Sequence, residues 1–271
     1  MHLKRWLTAI VAIPILIYLI GFSPRWIFYP FLLIVALIGL NEYYRLVLPD
    51  LSNFLKLITY IFVTLLFFIL SKQFLLVIGL LNLIVIASML FYLFSDPLKG
   101  EQYLSEVGKI VAGILYICLP IAMLIQIDNK LYLFKYGIRG IWVFFLLVVT
   151  FANDTGAFYS GKLFGKHKLY ESVSPKKTLE GSAGGILFAF FVGIAFLKIF
   201  RLHPVDFSII ILIFLLSVAG QVGDLAESML KRNYNVKDSG DILPGHGGVL
   251  DRIDSLLFAS PVLYIFLVMT I

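Results

Sequence analysis

Between Gly223 and Ser255 the chain reads GDLAESMLKRNYNVKDSGDILPGHGGVLDRIDS, gathering Asp224, Glu227, Asp238, Asp241, Asp251 and Asp254 beside Lys231, Arg232, Lys237, Arg252 and His246. Charges near a bilayer must be paired, hydrated or bound to an ion. In a sequence otherwise so apolar, this stretch reads as a metal and phosphate site. Asp224, Glu227, Ser228 and Lys231 fall at i, i+3, i+4 and i+7, a single face of a helix, with Gln221 one turn earlier. Two carboxylates one turn apart can point at one cation. Asp251 and Asp254, three apart at a second helix entrance, offer a second pair. Oxygen ligands of this kind suit a hard ion such as Mg²⁺, which keeps some waters and binds substrate phosphates. No Cys/His cluster points to zinc. Each residue also has a plainer use. Asp251 and Asp254 would cap a helix as first-turn acids, Lys231 and Arg232 would snorkel to the interface, and His246 would serve as a neutral hydrogen-bonding group.

A second polar group precedes this one. The segment FANDTGAFYSGKLFG sets Asn153 and Asp154 inside an apolar helix. A carboxylate there costs about 2.5–3.5 kcal/mol unless it faces partners or water, so Asp154 reads as a site residue or as polar glue between helices. The loop that follows carries Lys162, Lys166, Lys168, Lys176 and Lys177. Ser174, Lys176, Lys177 and Thr178 stand just ahead of a helix start, where charge and backbone N–H groups can grip a polyphosphate. Lysines placed so also meet anionic lipid heads. Gly181, Gly184 and Gly185 allow close backbone approach, to a ligand or to a neighbouring helix.

The elements that must position these residues are membrane helices. Of 271 residues, 61% are hydrophobic and 14% charged, which excludes ordinary soluble usage. Apolar runs of the roughly 20 residues needed to cross a bilayer recur throughout. The expected fold is an all-α polytopic bundle of about nine transmembrane helices near 7–22, 26–44, 55–70, 74–94, 107–127, 140–160, 182–200, 208–229 and 255–271. The first run follows Lys4 and Arg5, but Phe22-Ser23-Pro24-Arg25 offers no small-residue cleavage site, so it reads as a span and not a signal peptide. Most of the 22 Lys and Arg fall on one side if the N-terminus is cytoplasmic, which with nine spans puts the C-terminus outside. Residues 1–130 read as scaffold and 131–271 as the catalytic region of one integral membrane domain. In the scaffold, Asn41 and Glu42 sit beside Tyr43, Tyr44 and Arg45 as an interfacial belt, Pro14 and Pro120 interrupt helices, and Asp96 to Gly100 reads as a turn. The lone Cys118 excludes an internal disulfide.

The run from Ser228 to Asp254, SMLKRNYNVKDSGDILPGHGGVLDRID, holds S-x-x-K-R, K-D-x-G, P-G-H-G-G and D-R-x-D in order. It resembles the signature of the phosphatidate cytidylyltransferases, the CDP-diacylglycerol synthases. The NDTGAFYSGKLFGK and SPKKTLEGSAGG stretches resemble that family too, so the likeness covers the C-terminal half. It implies transfer of the cytidylyl group from CTP to phosphatidate, with release of pyrophosphate and use of a divalent metal. It also implies a homodimer in the cell inner membrane with its site open to the cytoplasm, and no nucleic-acid partner. Family roles fall on Asp224, Ser228, Lys231, Asp251 and Asp254 as catalytic residues. Asp224, Glu227, Asp251 and Asp254 are the expected ligands of Mg²⁺ and of any second ion. Substrate contacts are expected from Asp154, Ser174, Lys176, Lys177, Arg232, Lys237, Asp238, His246, Gly247, Gly248 and Arg252. Two other readings stand beside this one: a CTP-dependent enzyme acting on another lipid phosphate or a polyprenol, and an ion-coupled secondary transporter. Against the transporter, the acids crowd into the last third and no internal repeat is visible.

Overall fold

A computed structural model describes residues 2–70, 74–95, 101–130, 138–242, 245 and 247–270. The described chain is helical nearly throughout: α1 His2–Gly21, α2 Arg25–Val47, α3 Asn53–Leu70, α4 Phe74–Ser95, α5 Glu101–Gly113, α6 Leu119–Lys130, α7 Ile141–Phe164, α8 Leu179–Phe200, α9 Phe207–Asn233 and α10 Leu250–Thr270. A π-helical turn, Ile114–Cys118, joins α5 to α6. Among the described residues, six helical stretches are long and apolar enough to cross a membrane: Arg25–Val47, Tyr103–Asn129, Ile141–Phe164, Leu179–Phe200, Phe207–Asn233 and Leu250–Thr270. Three shorter apolar helices, Ile10–Gly21, Asn53–Ile69 and Leu81–Phe94, occupy the places of the first, third and fourth expected spans. The chain is therefore a multi-pass membrane protein; among the described residues six helices have the length and composition of a span, and the expected count of about nine is not confirmed. The expected turn at 96–100 lies outside the described residues.

The interruption expected at Pro120 takes the form of the π turn. Proline has no N–H, so the carbonyl four residues earlier loses its α-helical donor. Just ahead of it the ladder widens, and Leu119 N–H donates to Ile114 O, five residues back. Beside this interruption the Pro120 carbonyl accepts the Ser260 hydroxyl of α10 at 3.0 Å, tying α6 to a neighbouring helix.

Packing is densest where side chains are smallest. On α7 and α8, Gly156 and Gly185 face one another so closely that a Cβ on Gly156 would lie 2.6 Å from Phe188 Cβ, and one on Gly185 2.7 Å from Asn153 O. A Cβ on Gly181 would come 2.9 Å from Ala157 O. In lipid, helices associate through such small-residue contacts because apolar burial alone discriminates little. The glycine cluster after the basic loop thus serves helix packing. A similar approach joins α9 to α10, where a Cβ on Gly223 would stand 2.6 Å from Asp254 O.

The basic loop is more ordered than its composition suggests. Lys168–Tyr170 (β1) pairs antiparallel with Ser174–Thr178 (β2) in a short hairpin, and α8 begins at Leu179, three residues before the expected span. Thr178 caps α8 by accepting the Gly181 N–H at 3.1 Å. Glu180 accepts Lys166 N–H at 3.0 Å and meets His167 Nδ1 at 2.6 Å, fastening the hairpin base to the first turn of the helix. Outside the spans, Asp206 caps α9, and the Ser208 hydroxyl and Ile209 N–H hold its carboxyl below the usual carboxylate range.

We expect Gly185→Val to lower the apparent melting temperature in detergent through overpacking worth about 1–3 kcal/mol. An unchanged melting curve would show that α7 and α8 do not meet there.

Candidate active site

The C-terminal half of α7, the hairpin, the first turn of α8, the C-terminal half of α9 and the first two turns of α10 surround one cavity of about 600 Å³. Five acids line it, Asp154, Asp224, Asp238, Asp251 and Asp254, together with five bases, Lys162, Lys176, Lys177, Lys231 and Arg252. Such a balance suits a ligand that is itself a polyanion carrying a cation, since each half of the wall answers one half of the ligand. Asp154 stands ten residues from the end of α7, so at 1.5 Å per residue the cavity sinks roughly 15 Å along the helix. By the same rise the 27 residues of α9 extend about 40 Å, beyond the hydrocarbon thickness of about 30 Å. A helix of that length is long enough for its charged end to clear the hydrocarbon while its apolar start crosses it.

Ion pairs tie the walls together. Lys177 of β2 lies 2.6 Å from Asp224 of α9. Lys231 bridges α9 and α10, with Nζ 2.5 Å from Glu227 Oε2 and donating to Asp251 Oδ1 at 2.6 Å. Its contact with Glu227 is an ion pair by proximity, outside hydrogen-bond geometry. Glu227 is wholly buried, a position a carboxylate tolerates only with a charged partner. The other oxygen of Asp251 is also engaged: Oδ2 accepts the backbone N–H of Ser239 at 2.9 Å and of Gly248 at 2.8 Å, with the Ser239 hydroxyl 3.0 Å away. Ser239 and Gly248 thus both close on this carboxylate. Gly247 adopts φ +82°, and a side chain there would also collide with Asp251 Oδ2, so glycine is required twice over.

Asp224 and Asp254 are brought together by the close crossing at Gly223 and carry fewer partners. Asp224 Oδ1 accepts the Ser228 hydroxyl at 3.4 Å, and Asp254 Oδ1 accepts the N–H of Ser255 at 2.7 Å. Asp154 faces the same space from α7. At the cavity floor, Gln221 donates to Asn153 Oδ1 at 2.9 Å and to the Ser182 carbonyl at 3.1 Å, while the Ser182 hydroxyl bonds to Gln221 Oε1. Among the described residues no three His, Cys, Asp or Glu side chains are arranged to hold a metal by themselves.

Of the residues singled out in the sequence, Asp154, Lys176, Lys177, Asp224, Lys231, Asp238, Asp251, Arg252 and Asp254 share the cavity wall. Ser228 and Glu227 stand behind it on α9. Ser174, Arg232, Lys237, Gly247 and Gly248 are outside the lining, and Arg232 instead donates to the Val236 carbonyl at 3.3 Å. His246 lies outside the described residues. Sequence reasoning gave no site role to Lys162, Ser182 or Gln221, which line the cavity. It also read Glu42 as part of an interfacial belt, whereas Glu42 is buried against the loop that precedes α10. An acid in an apolar N-terminal half was the available signal.

A multi-span helical bundle with a mixed-charge cavity among its helix ends defines the class, a polytopic membrane protein with a polar cavity. The chain belongs to the Cytidylyltransferase family, whose model matches residues 3–270. It is 44% identical over 182 residues to the phosphatidate cytidylyltransferase of Bacillus subtilis, covering 67% of this chain and 65% of that protein. Proteins of the same name from Staphylococcus epidermidis and Staphylococcus aureus are each 46% identical, over 134 and 132 residues, covering 51% and 49% of their lengths. The chain thus spans about half to two thirds of the curated relatives it matches.

Removing Lys231 leaves Glu227 buried without its counter-charge. Lys231→Met is expected to destabilise by about 3–5 kcal/mol, read as a fall in the detergent melting temperature, and adding Glu227→Gln should restore most of the loss. Equal melting temperatures for Lys231→Met and the native chain would contradict the pairing.

Proposed function

We propose that this protein transfers the cytidylyl group from CTP to phosphatidate, giving CDP-diacylglycerol and pyrophosphate. The observation that carries the reading is the cavity wall, where five acids and five bases face one space at the end of membrane-spanning helices. Membership of the Cytidylyltransferase family and the names of its relatives support the choice of nucleotide and lipid.

The donor set fits magnesium when the substrate shares the ion, because Mg²⁺ commonly takes one or two carboxylates and completes its shell with waters and phosphate oxygens. Asp224 and Asp254, with Asp154 nearby, are the carboxylates that would hold it. Glu227 and Asp251, expected from the sequence as ligands, are engaged with Lys231 in this arrangement. Bound there, the ion polarises a phosphoryl oxygen as a Lewis acid.

The chain's own residues position and neutralise. An ionised phosphatidate oxygen attacks the α-phosphorus of CTP in line, the bond to the β-phosphate oxygen breaks, and pyrophosphate departs with that electron pair. No proton needs removal, because the lipid phosphate is already ionised at neutral pH. Such transfers depend on alignment and charge compensation. Lys176, Lys177 and Arg252 offer donors to the triphosphate, and Lys177 would exchange Asp224 for phosphate as the nucleotide enters. The homodimer, a second ion and a cytoplasmic opening in the cell inner membrane belong to the same reading and rest on the family resemblance, while the count of about nine spans rests on the apolar runs of the sequence.

Asp254→Asn should abolish formation of CDP-diacylglycerol from labelled CTP while the protein still elutes as a folded species; near-native turnover would remove this carboxylate from the reaction. For Lys177→Ala the expected result is a KM for CTP raised roughly tenfold, from a charge-assisted contact worth about 1.5–3 kcal/mol, and an unchanged KM would return Lys177 to a structural role. Comparing CTP with other nucleotides, and phosphatidate with other lipid phosphates, tests the substrate assignment in one assay.

A further inference from the structure

Glu42 is a carboxylate of α2, 1% exposed and far in sequence from every cavity residue. Its Oε1 accepts the Val249 N–H at 2.9 Å and its Oε2 accepts the Leu250 N–H at 2.9 Å. These belong to the four N–H groups that a helix leaves without internal partners at its start. The usual remedy is a capping side chain from the preceding residues, yet α10 takes its cap from another helix. The Ser239 hydroxyl lies between Glu42 Oε2, at 3.2 Å, and Asp251 Oδ2, at 3.0 Å, linking the cap to the cavity wall. Two glycines are shaped to this contact. A Cβ on Gly240 would stand 2.7 Å from Glu42 Oε1, and one on Gly248 would stand 2.5 Å from Glu42 Oε2. Neither has a positive φ, so it is close approach and not backbone conformation that favours glycine at both: to Glu42 at Gly240, and to Glu42 together with the nearer Ser239 hydroxyl at Gly248.

We infer that Glu42 is a positioning residue: from the N-terminal half, it holds Ser239, Val249 and Leu250 and with them the start of α10, and so sets where Asp238, Asp251 and Asp254 stand in the cavity. It touches no cavity space itself. The kinetic part of this inference rests on the proposed cytidylyl transfer; the structural part does not.

The test uses full-length Glu42→Gln in detergent. Glutamine has one acceptor oxygen where two are needed, so its amide N–H₂ must face one of the two backbone donors. Amide exchange followed by mass spectrometry should show peptides covering Val249 and Leu250 exchanging roughly five- to tenfold faster, the effect of a lost cap. Turnover per folded molecule should fall by up to about 100-fold, the cost of a displacement near 1 Å. The magnesium concentration for half-maximal activity should rise, which a smaller folded fraction alone would not cause. Gly240→Ala, which keeps the charge but crowds it, should reproduce all three effects and decides the question if Glu42→Gln does not fold. Native exchange at Val249 and Leu250, or a lowered melting temperature with unchanged turnover per folded molecule and unchanged magnesium midpoint, would overturn the inference. Absence of CTP-dependent turnover in the native protein would instead refute the proposed reaction, leaving the exchange result to judge Glu42.

Discussion

A bilayer tolerates buried charge only where the charge meets a partner or water, and this constraint arranges the whole C-terminal half. Asp154 on α7, Asp224 on α9 and Asp254 on α10 could each be accommodated by turning toward a common polar space, and the helices are packed so that they do. The closeness needed comes from residues with almost no side chain. Gly156 and Gly185 let α7 and α8 touch, and Gly223 brings α9 onto the Asp254 carbonyl. Small residues therefore set the distances and charged residues use them.

The same constraint explains the pairing pattern. Lys231 neutralises a wholly buried Glu227 and joins it to Asp251, so α9 and α10 are locked at their polar ends. Lys177 reaches from the hairpin to Asp224, closing the wall on the opposite side. These pairs hold the cavity walls together through the charges that the proposed reaction needs. In the proposed reaction a metal-bound nucleotide would bring both signs of charge, and Lys177 would exchange Asp224 for a phosphate.

Much of this was legible in the chain itself. The i, i+3, i+4 and i+7 spacing of Asp224, Glu227, Ser228 and Lys231 predicted one helix face, and all four lie on α9, with Asp224 and Lys231 in the wall and Ser228 and Glu227 behind them. The strongly apolar runs located the helices, but hydropathy alone does not settle how many of them cross the membrane: six of the described helices have the length and composition of a span, and the expected count of about nine is not confirmed. The β-hairpin was invisible because Lys168–Tyr170 and Ser174–Thr178 are too short and too polar to show strand alternation. Glu42 was misjudged for a different reason. Its partners are backbone N–H groups some two hundred residues away, and a backbone donor leaves no mark in a sequence. The matching glycines at 240 and 248 could be seen, but nothing local said what they were making room for.

The central claim is that the acids of α7, α9 and α10 and the bases of the hairpin and α10 form one receptor for a metal-bound nucleotide. Crystals grown with CTP and manganese in place of magnesium would test it by locating the metal through its anomalous scattering. The account predicts a peak between Asp224 and Asp254, with the triphosphate reaching Lys176, Lys177 and Arg252. A metal or nucleotide bound elsewhere, with this cavity filled only by solvent, would contradict it.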